Sequence, residues 1–275
     1  MEQRAVVFAY HDVGVRCLRV LVESGVEVEL VVTHRDDPAE KAWFASVASF
    51  GRSLGIDTLE DPAQLDIPET DFIFSFYYRR MLPVSLLRKA GRGAFNMHGS
   101  LLPKYRGRAP VNWAIIHGET ETGATLHEMT DRPDAGRIVD QERVPIGPDD
   151  TAVEVFRRVT DAAEVVLRRS IENLVKGKAK LQPQDLSHGS YFGARRPEDG
   201  RIDWTKGARE IHNLVRAVAP PYPGAFTKGL QINKTRVEDR RAPPGMLGPY
   251  QENGEWFAAC GDGKVLRLLE IDIKE

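Results

Sequence analysis

As far as Val175 the chain alternates short, continuously apolar runs with longer stretches of helical spacing, and that alternation leaves few folds open. Ala5–Tyr10 (AVVFAY), Val26–Thr33 (VEVELVVT) and Asp71–Tyr77 (DFIFSFY) read as strands, the first and third apolar enough to be buried on both faces. Between and after them, helices are expected over Val15–Glu23, Pro38–Leu54, Pro83–Lys89 and Asn112–His117. Strands are expected over Ala94–His98, Ala124–Met129 and Arg137–Val144. Thr151–Val175 has helical spacing, with Asp149 and Asp150 placed to cap it. Strands alternating with helices mean an α/β fold, here a Rossmann-like, mostly parallel sheet. Beyond Val175 the pattern changes to polar, Pro- and Gly-rich sequence, one helical stretch (Lys206–Ala217) and short β-like runs such as Trp256–Cys260 and Val265–Ile271. The expected division is a catalytic domain over residues 1–190 and a small β-rich domain over 191–275.

Charge and composition exclude several classes. A net charge of −2, with no long run of like charges, argues against a nucleic-acid partner or a charged membrane tail. No stretch has the roughly 18 apolar residues of a membrane span, the N-terminus lacks signal-peptide character, and Cys17 and Cys260 lack metal-ligand spacing. These features predict a soluble, cytoplasmic protein without a metal. G-x-G-x-x-G, G-x-S-x-G and P-loop patterns are absent, which disfavours dinucleotide binding and serine-hydrolase chemistry.

The densest polar cluster is FNMHGSLLPKYRGRAP, Phe95–Pro110. Asn96 and His98 stand two apart, so an extended chain points both the same way, at the carboxyl end of a strand where α/β sheets bind ligands. Asn96 could donate amide hydrogens to a developing oxyanion, and His98 could move a proton near neutral pH. Gly99, Pro103 and Gly107 break the following chain into a loop carrying Lys104, Arg106 and Arg108, a candidate grip for a phosphate. A second loop, TDRPDAG (Thr130–Gly136), follows the Ala124–Met129 strand, and its Asp134 could face His98. Each piece has a plainer reading: a turn, a solvated basic loop, a turn-stabilising aspartate. His117 and His127 lie near the cluster, with structural roles the better reading for both, and His34, His188 and His212 read as surface or packing residues.

Asn-x-His, S-L-L-P and a later Asp-Ala-Gly, in that order, resemble the folate-dependent formyltransferases. VVFAYHDVG, FSFYYR, AFNMHGSLLPKYRGRAPVNW, GETETGATLH, FGARRPEDGRIDW, YPGAF and ACGDG extend the resemblance over nearly the whole chain. Within the family they look closest to the formyltransferase domain of a bifunctional polymyxin-resistance protein, without its decarboxylase half and with a short Glu60–Thr70 stretch. The resemblance implies a small OB-like β-barrel after the Rossmann-like domain and an enzyme transferring a formyl group from N10-formyltetrahydrofolate to a nucleotide-linked amino sugar. The implied substrate is UDP-4-amino-4-deoxy-L-arabinose, with a place in lipid A modification. By matching position it implies catalytic roles for Asn96, His98 and Asp134. It implies folate contacts from Arg80, Met81, Leu82, Thr130, Asp131, Arg132, Pro133 and Asp134, and substrate contacts from Lys104 and Arg108. A dTDP-4-amino-6-deoxyhexose acceptor, a methionyl-tRNA acceptor and a non-catalytic nucleotide-sugar binding module are the alternatives; the nucleotide base and any homo-oligomer stay open.

Overall fold

The computed structural model describes residues 3–36, 43–62 and 65–273. The chain opens with β1 (Arg4–Ala9), α1 (His11–Glu23), β2 (Glu27–Thr33), α2 (Val47–Ser53), β3 (Thr58–Glu60), β4 (Thr70–Phe76), α3 (Val84–Leu87) and β5 (Ala90–His98). It continues through β6 (Arg106–Gly107), α4 (Pro110–Ile116), β7 (Glu121–Glu128), β8 (Ile138–Pro145) and α5 (Ala152–Val175). Then come β9 (Tyr191–Phe192), α6 (Ala208–Val218), β10 (Ala225–Thr227), β11 (Leu230–Arg241), β12 (Gly248–Glu252), β13 (Glu255–Ala259) and β14 (Lys264–Ile273). Among the described residues no helix is long and apolar enough to cross a membrane.

Two compact units emerge, one of Met1–Gly107, Gly123–Val144 and Arg158–Tyr191, the other of Arg108–Thr122, Pro145–Arg157 and Phe192–Glu275. The large sheet runs β3-β2-β1-β4-β5-β7-β8. β1 pairs parallel with β2 and β4, and β4 with β5, whereas β5 pairs antiparallel with β7. Phe8, Phe72, Phe74 and Phe76 are fully buried, as two-sided burial of the central strands requires. The expected mostly parallel α/β sheet is therefore present.

The second unit carries a five-stranded antiparallel sheet, β10-β11-β14-β13-β12, on which α6 packs Ala208, Ile211 and Val215. Register shifts along β11 against β14 curl this sheet into an OB-like half-barrel.

Two local expectations are corrected. Pro38–Leu54 is not one helix: residues 38–42 lie outside the described set, and α2 begins only at Val47, with the Ser46 hydroxyl accepting from Ser49 N. Ahead of it the Phe44 ring stacks on His11 at 4.0 Å and Ala45 N donates to the Asp12 carboxylate at 2.8 Å, and these tertiary contacts hold the backbone out of helix. Asp149 and Asp150 do not cap α5 either. Asp150 accepts from Gly147 N and Asp149 lies 3.2 Å from His212, while Glu154 reaches back to Thr151 N at 2.8 Å.

Met97 alternates with Asn96 and His98 along β5 and is 1% exposed, facing away from both. Met97→Ala should lower stability by about 2–5 kcal/mol in denaturant titration, through the lost side chain and the cavity left behind.

Candidate active site

Strand register builds the site. The antiparallel pairing of β5 with β7 sets Asn96 directly opposite His127 and His98 opposite Thr125, with Met97 and Leu126 turned to the other face. Two polar-apolar-polar triplets, Asn-Met-His and Thr-Leu-His, thus share one face of a strand pair. The loop after β7 brings Asp134 onto that face.

The Asp134 carboxylate is where the cluster converges. Its Oδ1 lies 3.7 Å from His98 Nδ1, 3.4 Å from His127 Nε2 and 3.5 Å from Asn96 Nδ2, and its Oδ2 accepts from Gly107 N at 2.8 Å. Burial alone would raise its pKa. The pull of His98, of His127 and of the Gly107 N–H outweighs that cost and holds the carboxyl well below the usual carboxylate range. Asp134 is therefore an anion at neutral pH. It sits at φ +50°, a left-handed conformation that aspartate tolerates better than most residues. Two residues on, a Cβ on Gly136 would lie 1.9 Å from the Glu128 carbonyl oxygen, so only glycine lets the loop turn back this closely.

Hydrogen-bond partners assign the protons on both imidazoles. His98 Nε2 lies 2.7 Å from the Tyr105 carbonyl, which can only accept, so Nε2 carries the hydrogen. In the neutral ring the Nδ1 lone pair is left on the Asp134 side. At 3.7 Å that approach is too long for a hydrogen bond, but a protonated His98 gains about 4 kcal/mol of gross Coulomb attraction there at an effective dielectric near 20. His127 Nδ1 donates to the Glu128 carbonyl at 2.9 Å, so its Nε2 accepts from Asn96 Nδ2 at 3.1 Å in the neutral ring. Protonated, that nitrogen would turn its hydrogen to Asp134 instead. One Asn96 amide hydrogen is thus engaged, and the other has only the long approach to Asp134.

Polar pegs hold the Ser100–Gly107 loop in place. Thr125 Oγ1 donates to the Ser100 carbonyl at 2.6 Å, Gln141 Nε2 to the Leu102 carbonyl at 2.9 Å and Ser100 Oγ to the Lys104 carbonyl at 2.6 Å. Lys104 is exposed, while Arg106 Nε is buried with no hydrogen-bond partner. Arg108 is exposed and belongs to the second unit, where its N–H donates to the Phe192 carbonyl at 2.9 Å.

In the first unit a cleft of about 440 Å³ is lined by Val84, Leu87, Ala94 and Met129 on its apolar side and by Arg88, Glu128, Thr130 and Asp131 on its polar side. Of the residues expected to hold a folate, Thr130 and Asp131 line this cleft, and Arg132 N donates to Thr130 Oγ1 in the loop that ends at Asp134. Pro133, half-buried, precedes Asp134 there. Leu82 is buried in the apolar cluster with Leu86 and Ala94. Met81 is 63% exposed, and Arg80 pairs with Asp61 at 2.9 Å. Apolar walls with a rim of polar groups fit a flat heteroaromatic ring carrying hydrogen-bonding edges, as a pterin does.

The chain matches the formyl transferase family model over residues 22–171 and the formyl transferase C-terminal domain model over 195–275. It belongs to the formyl transferase family. The assignment to the folate-dependent formyltransferases, enzymes that transfer one-carbon groups, therefore holds. Among solved structures this formyltransferase is similar to the N-formyltransferase from Helicobacter canadensis, in complex with folinic acid and dTDP-3-aminofucose. That likeness has 22% identity and a TM-score of 0.79, over 98% of this chain and 99% of that one. It is also similar to WlaRD, a sugar 3N-formyl transferase solved with dTDP and 5-N-formyl-THF, at 22% identity and TM-score 0.81 over 98% of each chain. A 4-N formyltransferase from Francisella tularensis matches at 20% identity and TM-score 0.65, over 99% of this chain and 98% of that one. At these identities the likenesses show a shared fold.

Sequence reasoning undervalued His127, which joins the cluster. Its signal was there: Thr125 and His127 repeat the period-two spacing of Asn96 and His98. The Tyr105 carbonyl and the Gly107 N–H are backbone groups that no residue type announces.

A group whose folded pKa is depressed adds stability above its unfolded pKa and loses it as pH falls toward the folded value. The stability difference between wild type and Asp134→Asn should accordingly shrink as pH falls below about 4 in denaturant titrations. A difference independent of pH would show that the carboxylate is not held by these partners.

Proposed function

We propose that the enzyme transfers the formyl group of N10-formyltetrahydrofolate to the amine of a nucleotide-linked amino sugar, UDP-4-amino-4-deoxy-L-arabinose. The observation that carries this reading is the convergence of Asn96, His98 and Asp134 on one face of the β5–β7 pair, in a chain of the formyl transferase family. An uncharged amine attacks the formyl carbon, a C–N bond forms, and the nitrogen is left with a surplus proton. His98 Nδ1 is the base that takes it, because Nε2 is held by Tyr105, and the ionised Asp134 steadies the resulting imidazolium. The bond from the formyl carbon to N10 then breaks, and the proton held by His98 passes to N10 of the leaving tetrahydrofolate, which restores the neutral imidazole. The second amide hydrogen of Asn96 is available to the formyl oxygen as negative charge grows there.

Thr130 and Asp131, with Arg88, would hold the hydrogen-bonding edge of the donor's ring in the cleft, and Leu87 and Met129 would cover its faces. Lys104 and Arg108 are proposed to meet the nucleotide phosphates. The folate and dTDP-sugar ligands of the Helicobacter canadensis enzyme support the donor and acceptor classes. The choice of UDP-4-amino-4-deoxy-L-arabinose, with its place in lipid A modification and polymyxin resistance, rests on the motifs of this sequence. The dTDP-3-aminofucose of the Helicobacter canadensis enzyme and the dTDP of WlaRD favour a second reading, a dTDP-linked amino-deoxyhexose acceptor. Both readings place the enzyme in the cytoplasm with small-molecule partners.

Incubation with N10-formyltetrahydrofolate and a panel of UDP- and dTDP-amino sugars should give, for the true acceptor, a product heavier by one CO in mass spectra. No formylated sugar from any member would sink the reading. Asn96→Ala should cut turnover by ~10²–10³, the cost of losing one oxyanion donor, with the fold intact by circular dichroism.

A further inference from the structure

Between the end of α5 and β9 the chain runs without long helix or strand through residues 176–190, and at three points it is fastened to the loops that build the active site. Gln182 exchanges two backbone hydrogen bonds with Ile138, at 2.7 and 2.8 Å, just past the Asp134 loop. Gln184 Nε2 donates to the Asp134 carbonyl at 3.0 Å and to the Gly136 carbonyl at 2.6 Å, using both of its hydrogens on that one loop. Ser190 secures the other loop: its Oγ accepts from Tyr105 N at 2.8 Å, its carbonyl from Arg106 N at 3.0 Å, and its N–H donates to Pro103. Those two loops supply the Asp134 carboxylate, the Tyr105 carbonyl that fixes the His98 tautomer, and the Gly107 N–H that holds Asp134.

We propose that the segment from Gln182 to Ser190 is a positioning strap for the catalytic cluster, with Gln184 as the positioning residue that sets Asp134. Left-handed backbone at Asp134 is intrinsically disfavoured, and the carbonyl of that residue needs a donor in a half-buried setting. Gln184 supplies it and ties the same amide to Gly136, so one side chain fixes the turn on both sides of Ala135. Local sequence does not enforce this geometry; a residue fifty positions along the chain does. A shift of about 1 Å in a catalytic group is enough to cost ~10² in rate, so loss of the tie should lower turnover.

The inference rests on the reading of His98 and Asp134 as the proton-handling pair, and its deciding titration does not need the acceptor. Protein labelled with ¹³C at aspartate carboxyls is titrated by NMR, with Asp134→Asn assigning the signal. In wild type Asp134 should stay ionised through the ordinary carboxylate range. In Gln184→Met, which keeps length and removes both donors, its midpoint should rise by about one unit or more as the carboxylate leaves its partners. With an acceptor that wild type formylates, the variant's kcat should fall about 10²-fold. Should Gln184→Met not fold, Gln184→Glu carries the same titration, since its carboxylate turns an acceptor toward two carbonyls. An Asp134 midpoint unmoved in the folded variant overturns the proposal. Wild type failing on every amino sugar would sink the acceptor assignment and leave this titration standing.

Discussion

The antiparallel register of β5 against β7 is the constraint on which the site depends. It places Asn96 across from His127 and His98 across from Thr125. Side chains alternate with a period of two, so a slip by one residue would bring Met97 or Leu126 to the reactive face and turn one polar triplet into the core. The hydrophobic pattern itself forbids that slip: Met97 and Leu126 are among the most buried side chains of the molecule. Parallel strands from β3 to β5 bring their carboxyl ends to one edge of the sheet; β7 runs the other way, and the loop that leaves it folds back to bring Asp134 against Asn96 and His98.

Upon this frame the cluster converges on one buried anion. A carboxylate withdrawn from water is costly unless cations and hydrogen-bond donors replace its hydration. Asp134 has the Gly107 N–H and the Asn96 amide as donors, and the two imidazoles beside it become cations when protonated. In the proposed mechanism the same arrangement prepares His98 as the base, because the Tyr105 carbonyl fixes which nitrogen is bare and the anion stands ready for the charge that nitrogen acquires. In that mechanism positioning and proton transfer come from one set of contacts, and the loops that make them are tied by Ser100, Thr125, Gln141 and Gln184.

Much of this was legible in the sequence, and the illegible part has physical causes. The central strands announced themselves because two-sided burial demands unbroken apolar runs, as at Val6–Ala9 and Phe72–Phe76. Asn96 and His98 could be read as a same-face pair from spacing alone. Asp134 could not be joined to them on local grounds, since the pairing depends on a register between distant strands and on a left-handed turn. Helix boundaries failed where tertiary contacts overrode propensity: Phe44 and Ala45, held by His11 and Asp12, delay α2 to Val47. Asp149 and Asp150, good caps by residue type, are drawn instead to His212 and Gly147.

The most direct test of the account is the pH dependence of single-turnover formyl transfer by Asp134→Asn, with N10-formyltetrahydrofolate and the acceptor that the wild-type enzyme accepts. The account predicts a rate ~10²–10⁴ below wild type, the range set by loss of acid–base assistance, with the donor still bound. A variant within about tenfold of wild type across the pH range, a span well short of that assistance, would contradict the claim that this anion and His98 carry the reaction's proton.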